Sequence, residues 1–470
     1  MPSWPSLLPA LGLALCLSGC AAVRSYDSEL YKTLDQASSG NLDGAIRILE
    51  SNNRLPDKDL LYYLELGMLQ RLGSRYQESQ QSWMAANARV QMLEQSVLAD
   101  ASNLVRGASS YLINDKLRRY EGHDYERVML LTHIALNYLA MGDYENARVA
   151  IKQTHELEAV IAELRSKELA KVEEEARERG ARTSFKELNG YPVETIDNPE
   201  VNALKNGYQS ALSHYLAGFI YEALGEPSLA AAGYRLANEL QPDQPVLEDA
   251  LRGLDQRVGA PGDGLTDVLF VIASGSAPTL RSQQFRLPIP VQDKLVVLSV
   301  SFPVLAAAAM PQRSVDLTVD DGPPLSAAPV TSIDLMARRR LKDDMPGIML
   351  RATVRSTASA VLQYQAQRAG DNKHNAAAFG AVAALVTVGS MVMESADDRT
   401  WRTLPSEISI ARARLPAGVH SVTLHTPQGA RTARVQLSGR HAVVDFRLLP
   451  YQLFVQSPMQ HEAPSGESPQ

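Results

Sequence analysis

Small and large apolar residues recur at a fixed spacing along the first half of the chain. The interval from Ala45 to Ser79 is 34 positions, and the interval from Ser79 to Ala147 is twice as long. A large apolar residue follows each of them four positions later, at Leu49, Trp83 and Ile151. A spacing of four places both residues on one face of an α-helix. The period predicts stacked pairs of antiparallel helices, because one pair alone cannot bury its apolar face.

Three stretches resemble tetratricopeptide repeat (TPR) units in their residues as well as in their period: 63–86, 136–152 and 217–243. The last stretch carries residues at the signature offsets of the repeat: Gly218, Tyr221, Gly225, Ala230, Tyr234, Ala237 and Pro242. The resemblance predicts four consecutive units, the third of them degenerate, and a fifth unit at about 211–244. We therefore expect an N-terminal TPR-like α-solenoid over residues 28–256.

An insertion interrupts the period between the fourth and fifth units. Ala147 and Ala230 are 83 positions apart, about 49 more than one interval. The extra residues, about 160–209, begin as a highly charged helix with i,i+4 pairs such as Glu163–Lys167 and continue as a loop with turn signals. We interpret the segment as a helix extended into solvent with a return loop. A dedicated binding arm is the alternative.

The pattern changes after residues 257–267, where Gly and Pro mark a domain boundary. Short β-branched runs separated by turn residues follow, and some alternate apolar and polar positions, as in “ARTARVQL”. The pattern predicts a β-rich sandwich or meander over 265–450 with a helical insertion at about 332–400. The predicted fold class is therefore α+β and multidomain. The Pro- and Ser-rich tail, 451–470, is predicted to be disordered.

The helical block ends in a long uncharged stretch, “AAAFGAVAALVTVGSMVM” (376–393). Its length reaches the threshold of about 18 residues for a membrane-spanning helix. Its many Ala and Gly residues make it only weakly apolar and suit close packing between helices equally well. The sequence leaves two interpretations open, a buried helix and a segment in contact with a membrane.

Both cysteines of the 470-residue chain lie in its first twenty residues. The stretch “LLPALGLALCLSGC” is too short to span a bilayer and ends in small residues, as a secretory signal does. Its last four residues, “LSGC”, resemble the bacterial lipobox. We therefore predict a lipoprotein signal peptide over 1–19, lipidation of Cys20 and a lipidated linker over 20–27. A plain apolar N-terminal segment is the alternative, since “MPSW” contains no Lys or Arg.

Composition and motif content exclude several classes of function. The net charge is −7 and the sequence pI is about 5.8, which argues against nucleic acid as a partner. The nine histidines are scattered, no HExxH motif is present, and no glycine-rich phosphate loop precedes a helix. Cys16 would leave with the signal peptide and Cys20 would be acylated, so no thiol remains to bind a metal. We predict no metal, no cofactor and no enzyme activity.

One polar cluster, “SADDRTWRTLP” (395–405), is the most unusual in the chain. It places Asp397 and Asp398 beside Arg399, with Trp401 close behind. Two adjacent carboxylates can raise one another's pKa for acid–base work, so a cell-wall-acting enzyme is one hypothesis. The simpler interpretation is a helix-to-strand joint in which Arg399 neutralises a carboxylate and the ring of Trp401 is buried.

This cluster belongs to a wider resemblance. Together with “NGYPVETID”, “AGFIYEALGE” and “LPAGVHSVTL”, it resembles a family of proteobacterial lipoproteins that combine N-terminal TPR units with a C-terminal β-rich domain. The resemblance covers about 25–450 and implies no catalytic residues. Ala21 and Ala22 follow the cysteine, and the absence of Asp there resembles the sorting signal for the outer membrane of enteric-type bacteria.

The leading hypothesis is an outer-membrane-anchored periplasmic scaffold that holds a protein partner for a cell-envelope assembly, either peptidoglycan synthesis or an export machinery. Stacked repeats present an extended groove lined by the first helix of each unit. The repeat offsets place eight residues at this possible partner groove: Leu64, Met68, Arg71, Thr132, Leu136, Tyr215, Phe219 and Glu222. A membrane-inserting subunit of an envelope or secretion complex, using 376–393, is the alternative.

Overall fold

The computed structural model describes residues 26–100, 119–181, 183–259, 264–291, 294–306, 315–370 and 396–458. Helices occupy the first part and a strand-rich sheet the second, so the predicted α+β multidomain class is confirmed. The signal peptide, Cys20 and the 376–393 stretch lie outside the described residues and stay predictions. Within the described part of the chain, no helix combines the length and hydropathy needed to cross a membrane.

Most of the helices in the described N-terminal region form antiparallel hairpins. Four hairpins pair α1 with α2, α3 with α4, α5 with α6, and α8 with α9. The helices are α1 (Tyr26–Ser38), α2 (Leu42–Asn52), α3 (Leu60–Leu72), α4 (Tyr76–Asp100), α5 (Asp124–Ala140), α6 (Tyr144–Arg179), α7 (Pro199–Ala203), α8 (Ala211–Ala223), α9 (Pro227–Leu240), α10 (Pro245–Arg252) and α11 (Leu254–Gly259).

The turns inside the hairpins repeat one backbone conformation. Gly40 and Gly142 have φ of +89° and +76°, the left-handed region in which glycine is favoured. Ser74 occupies the same position of the second hairpin, one period after Gly40, with φ of +57°. Polar side chains then cap several of the helices that follow, as where Asp143 Oδ1 accepts a hydrogen bond from the Asn146 N–H at 3.0 Å.

Close approach of the two helices in a hairpin depends on a glycine in the first helix. A Cβ atom on Gly67 would lie 2.3 Å from the Trp83 ring, and one on Gly218 would lie 2.5 Å from the Tyr234 ring. In both hairpins the aromatic residue follows the glycine by sixteen positions and is fully buried. The same small-against-large contact thus recurs in two units, which makes the hairpins TPR-like.

The insertion after the third described hairpin returns to the body of the protein. Helix α6 runs for 36 residues and ends at Arg179, followed by Gly180 as the C-cap with φ of +59°. Its far half is largely exposed, with the Glu163–Lys167 pair in solvent. The return loop is partly buried, because the hydroxyl of Tyr191 donates to the carbonyl oxygen of Pro303 at 3.0 Å.

The second half contains an eight-stranded sheet and a separate hairpin. The sheet order is β10-β9-β1-β6-β5-β4-β7-β8, and all neighbours are antiparallel except β1 and β9. The hairpin pairs β2 with β3. The strands are β1 (Leu265–Ser274), β2 (Leu280–Val291), β3 (Lys294–Leu305), β4 (Val315–Val319), β5 (Leu325–Ser332), β6 (Glu407–Pro416), β7 (Gly418–Thr426), β8 (Gly429–Leu437), β9 (His441–Leu448) and β10 (Leu453–Gln456).

The sheet curls until its two edge strands approach each other. Arg431 on β8 donates to the carbonyl oxygens of Leu449 and Pro450, just before β10. Alternate residues from both ends of the sheet, such as Phe270, Leu424 and Phe446, therefore share one apolar interior. Strand β10 lies within the predicted disordered tail, and it is ordered because it pairs with β9.

One helix, α12 (Ile333–Gly370), joins β5 to the segment before β6 and lies within the predicted helical insertion. Its buried residues Met336 and Met345 belong to the same core as the helical hairpins. Arg165 of α6 forms an ion pair with Asp344 of α12. The helix thus ties the strand-rich half to the repeat array.

Candidate functional site

The face of the repeat array that carries the predicted groove residues is covered by the chain's own sheet. We call this surface, formed by α3, α5 and α8, the inner face. All eight predicted groove residues are at most 4% exposed. The outer face of strands β1, β6, β5 and β9 shares a core with these helices, through residues such as Val271, Ile410 and Val443.

Three of the predicted groove residues contact the sheet through polar or aromatic groups. Arg71 Nη2 lies 3.0 Å from Asp445 Oδ2 on β9. Glu222 Oε1 lies 2.9 Å from Arg412 Nη2 on β6, and the ring of Phe219 lies 5.6 Å from that of His441. These positions hold the protein's own sheet, and their use by a separate protein stays a prediction.

The remaining predicted groove residues pack into the helical core. Thr132 Oγ1 lies 2.7 Å from Ser213 Oγ, which joins α5 to α8. The ring of Tyr215 lies 5.1 Å from that of Tyr234 within one hairpin. The other three, Leu64, Met68 and Leu136, belong to the large core shared by the helices and the sheet.

Residues 396–405, which we call the inner segment, run without helix or strand across the same face. Trp401 lies at the centre of this segment and is fully buried. Its ring lies 6.2 Å from that of Trp83 and 5.9 Å from the imidazole of His133, both in edge-on geometry. Its Nε1–H donates to Thr403 Oγ1 at 2.9 Å, so the indole is satisfied within the segment.

Glu126, at the start of α5, binds the backbone of the inner segment. Its Oε1 atom accepts from the N–H of Trp401 at 2.7 Å and from the hydroxyl of Thr400 at 3.0 Å. Its other oxygen accepts from the N–H of His123 at 2.9 Å. Burial raises the pKa of Glu126, and these hydrogen bonds offset part of that shift.

Glu65, in the middle of α3, makes an equivalent contact one residue further along. Its two oxygens accept from the N–H groups of Arg402 at 2.7 Å and Thr403 at 3.1 Å. The hydroxyl of Tyr26 donates to the same carboxyl group at 3.2 Å. Burial raises the pKa of Glu65 to about 7 despite these hydrogen bonds. Two buried carboxylates therefore hold three consecutive backbone N–H groups of the inner segment.

The acidic pair of this segment has local structural partners. Asp397 Oδ2 lies 2.7 Å from Arg399 Nη2, and Asp398 Oδ2 accepts from the backbone N–H of Tyr26 at 3.2 Å. Asp398 is buried and thus fixes the first residue of α1. Arg399 pairs with a carboxylate and the ring of Trp401 is buried, as the simpler interpretation of the cluster expects. This geometry supports the structural interpretation of the cluster over acid–base chemistry.

A group of charges at the other end of the inner face also joins helix and sheet. Arg412 Nη2 lies 2.6 Å from Asp267 Oδ2 and 2.9 Å from Glu222 Oε1. A second guanidinium group contacts the same Glu222 oxygen, since Arg257 Nε lies 2.6 Å from it. Burial would raise the pKa of Glu222, but the two guanidinium groups outweigh it, and the pKa is lowered.

Glu222 and Asp267 also lie close enough to His441 for the three to be considered as metal ligands, with ligand atoms within 4.8 Å of one another. The two carboxylates already accept hydrogen bonds from two guanidinium groups, Arg257 and Arg412. A cation there would face two fixed positive charges at hydrogen-bond distance, so this group does not fit a metal.

Sequence reasoning missed the two carboxylates that bind the inner segment. Glu65 is a lone acid within “LLYYLELGML”, a stretch in which nearly every other residue is apolar. A carboxylate within an apolar helix is buried only when it has hydrogen-bond or ionic partners. Glu65 therefore indicates a polar contact on the inner face. Asp267 and Arg412 give no comparable signal, because Asp267 lies at the polar start of its strand and Arg412 belongs to a strand that alternates polar and apolar residues.

No protein-family model matches the chain, and no curated protein is similar to it. Among solved structures, a tetratricopeptide repeat protein from Parabacteroides merdae ATCC 43184 matches over 49% of this chain and 98% of its own length. The sequence identity is 16% and the TM-score is 0.14, so the match carries no argument about function. The TPR-like assignment rests on the glycine–aromatic contacts within the hairpins.

Replacement of Arg412 by Met tests the contact between helix and sheet. The variant leaves Asp267 and Glu222 buried without this guanidinium, and removing one partner of a buried ion pair costs about 3–5 kcal/mol. We expect a loss of that size in the free energy of unfolding, measured by urea denaturation. Arg252→Met is the control, because Arg252 makes a surface pair with its side chain 71% exposed, and its loss should change stability by at most about 0.5 kcal/mol.

The pH dependence of stability tests the burial of Glu65. Its pKa of about 7 when folded exceeds the value of 4.5 for a free Glu, so the folded state binds more protons between these values. The contribution of Glu65 is therefore fully present below pH 4.5 and is lost as the pH rises through about 7. Relative to wild type, Glu65→Gln should gain stability between pH 5 and pH 8, by up to about 3 kcal/mol.

His133→Phe provides the opposite control for this measurement. Burial lowers the pKa of His133 well below 6.5. Below pH 6.5 this side chain therefore binds a proton in the unfolded state and stays neutral in the folded state. Wild type should therefore lose stability relative to His133→Phe as the pH falls below 6.5. Identical pH profiles for wild type and Glu65→Gln would contradict the buried carboxylate.

Proposed function

We propose that the protein is a lipid-anchored scaffold of the bacterial cell envelope that faces the periplasm from the outer membrane. Its partner would be a protein of peptidoglycan synthesis or of an export machinery. The supporting observation is the position of the first helix that the structure describes. Helix α1 begins at Tyr26, six residues after Cys20, and its first N–H is bound by Asp398 in the inner segment.

This arrangement would make an acyl group on Cys20 an effective tether. Six extended residues span at most about 20 Å, so the body of the protein would stay close to the membrane surface. Tyr26 is held by its hydroxyl group as well, which donates to Glu65. The helices and the sheet would therefore be held within a short distance of the anchor.

The partner would bind the outer face, formed by the second helix of each hairpin, because the inner face holds the sheet. In α8 twelve of the thirteen residues are buried, whereas in its hairpin partner α9 only four are. The outer helices expose several large apolar side chains between 37% and 65%: Met84, Met92, Val149, Leu229 and Leu236. Two of these residues are methionines, a residue type that is enriched at the core of protein–protein interfaces.

Two other functions receive less support. The membrane-inserting alternative depends on 376–393, an uncharged stretch that follows α12 in the sequence. Carbonate extraction of a Cys20→Ala variant distinguishes it, because an inserted subunit would remain in the membrane pellet. The hypothesis of a cell-wall enzyme depends on Asp397 and Asp398, and these carboxylates accept hydrogen bonds from Arg399 and from the backbone of Tyr26.

Photo-crosslinking in cells tests the scaffold proposal. A photo-reactive residue in place of Met92, which is 65% exposed, should give a discrete adduct with a cell-envelope protein, identified by mass spectrometry. The adduct should be lost in Cys20→Ser, which cannot be lipidated, and kept in Cys16→Ser.

The same photo-reactive residue at Val419 in β7, also 65% exposed, is the position control. An equal yield of the same adduct there would contradict a specific surface on the helices. Absence of any adduct at Met92, or equal adducts in both cysteine variants, would count against an anchored scaffold.

A further inference from the structure

A cavity of about 280 Å³ lies where the first hairpins meet the end of the sheet. Leu34 of α1 and Leu72 of α3 line it from the helices, and Leu449, after β9, lines it from the sheet. Its volume is close to the lower limit of about 300 Å³ for small-molecule sites in proteins. The cavity is therefore suited to a small ligand with an apolar body.

Two arginines also line this cavity, and both are more than nine-tenths buried. Arg447 of β9 is 4% exposed, and Arg402 of the inner segment is 9% exposed. Arg447 donates to the carbonyl oxygens of Thr403 and Leu448, each at 3.2 Å, while its Nε–H has no hydrogen-bond partner among the residues that the structure describes. Arg402 Nε pairs with Asp27 Oδ1 at 3.1 Å, while Arg402 Nη1 has no hydrogen-bond partner within the described part of the chain.

Arg447 holds a buried positive charge that no carboxylate contacts through a hydrogen bond in the described chain. Asp445 acts on it electrostatically, but Asp445 Oδ2 is paired with Arg71. Burial lowers the pKa of Arg447 to about 10, and Asp445 offsets only part of this shift. A buried charge of this kind destabilises a protein unless a counter-charge approaches it.

We propose that this cavity binds a small aliphatic monocarboxylate. The carboxylate group would pair with Arg447 and Arg402, and the apolar body would pack against Leu34, Leu72 and Leu449. A single negative charge is preferred over a phosphate or a dicarboxylate, because Asp27 already neutralises part of Arg402 and the exposed Asp35 also lines the cavity. The C-terminus of a peptide that ends in an aliphatic residue and a short branched fatty acid share this chemistry.

Calorimetric titration of the full chain with two carboxylates and one amide tests the site. We expect 4-methylpentanoate or N-acetyl-leucine to bind, and the neutral 4-methylpentanamide to bind at least tenfold more weakly. Tighter binding of N-acetyl-leucine would assign the cavity to peptide C-termini, and tighter binding of 4-methylpentanoate to fatty acids. Absence of heat from both carboxylates at millimolar concentration, or equal binding of the amide, would overturn the proposal.

Two kinds of variant separate binding from folding. Arg447→Met should abolish binding and raise the melting temperature, because it removes a buried charge that lacks a bound counter-charge. Ser276 also lines the cavity and is exposed, so Ser276→Glu should fold normally, supply a counter-charge and weaken binding at least tenfold. Ser276→Gln has the same size without the charge and should bind like wild type. Equal affinities of Ser276→Glu and Ser276→Gln would contradict the site.

Discussion

The structure depends on one constraint, which is that the inner face of the helical array and the outer face of the sheet cover each other. Strand β1 is buried on both sides over nearly its whole length, with one side in the interior of the curled sheet and the other against the helices. Neither half could expose this surface to water without losing much of its apolar burial. The two halves are therefore parts of one core.

Charged groups fix the register of this contact at three places along the inner face. Glu65 and Glu126 bind backbone N–H groups of the inner segment, Arg71 pairs with Asp445 of β9, and Arg412 pairs with both Asp267 and Glu222. The charged side chains in these contacts are largely buried. Loss of one partner would leave the other charge buried and unpaired, which destabilises a protein. Apolar burial holds the halves together, and these pairs allow only one alignment between them.

The local parts of this structure could be predicted from the sequence. The repeat period identified the hairpins because helix packing requires small and large residues at fixed offsets. The turn also keeps its position where another residue replaces glycine, as the positive φ of Ser74 shows. The apolar run “DVLFVIASG” indicated a strand, and its lack of alternation is typical of burial on both faces. Of the eight residues that the repeat offsets selected as a possible partner groove, Arg71, Phe219 and Glu222 contact the sheet, and the use of the set by a partner stays a prediction.

What covers the inner face could not be predicted, because the decisive contacts join residues far apart in sequence. Arg71 and Asp445 are separated by 374 positions, and the sequence around either residue does not indicate that the other is its partner. Repeat arrays generally bind other molecules on their concave surface, so the sequence suggested that a separate protein binds the inner face. Here the inner segment and the sheet take that place, which leaves the outer face and the arginine-lined cavity as surfaces for other molecules.

A double-mutant cycle between Arg71 and Asp445 tests this account most directly, because the two residues belong to opposite halves and lie 3.0 Å apart with side chains 3% and 9% exposed. The free energies of unfolding of Arg71→Met, Asp445→Asn and the double variant would be measured against wild type. We predict a coupling energy of about 1–3 kcal/mol, as found for residues in direct buried contact. Additive effects within about 0.5 kcal/mol would show that Arg71 and Asp445 are not in contact across the two halves and would contradict the account.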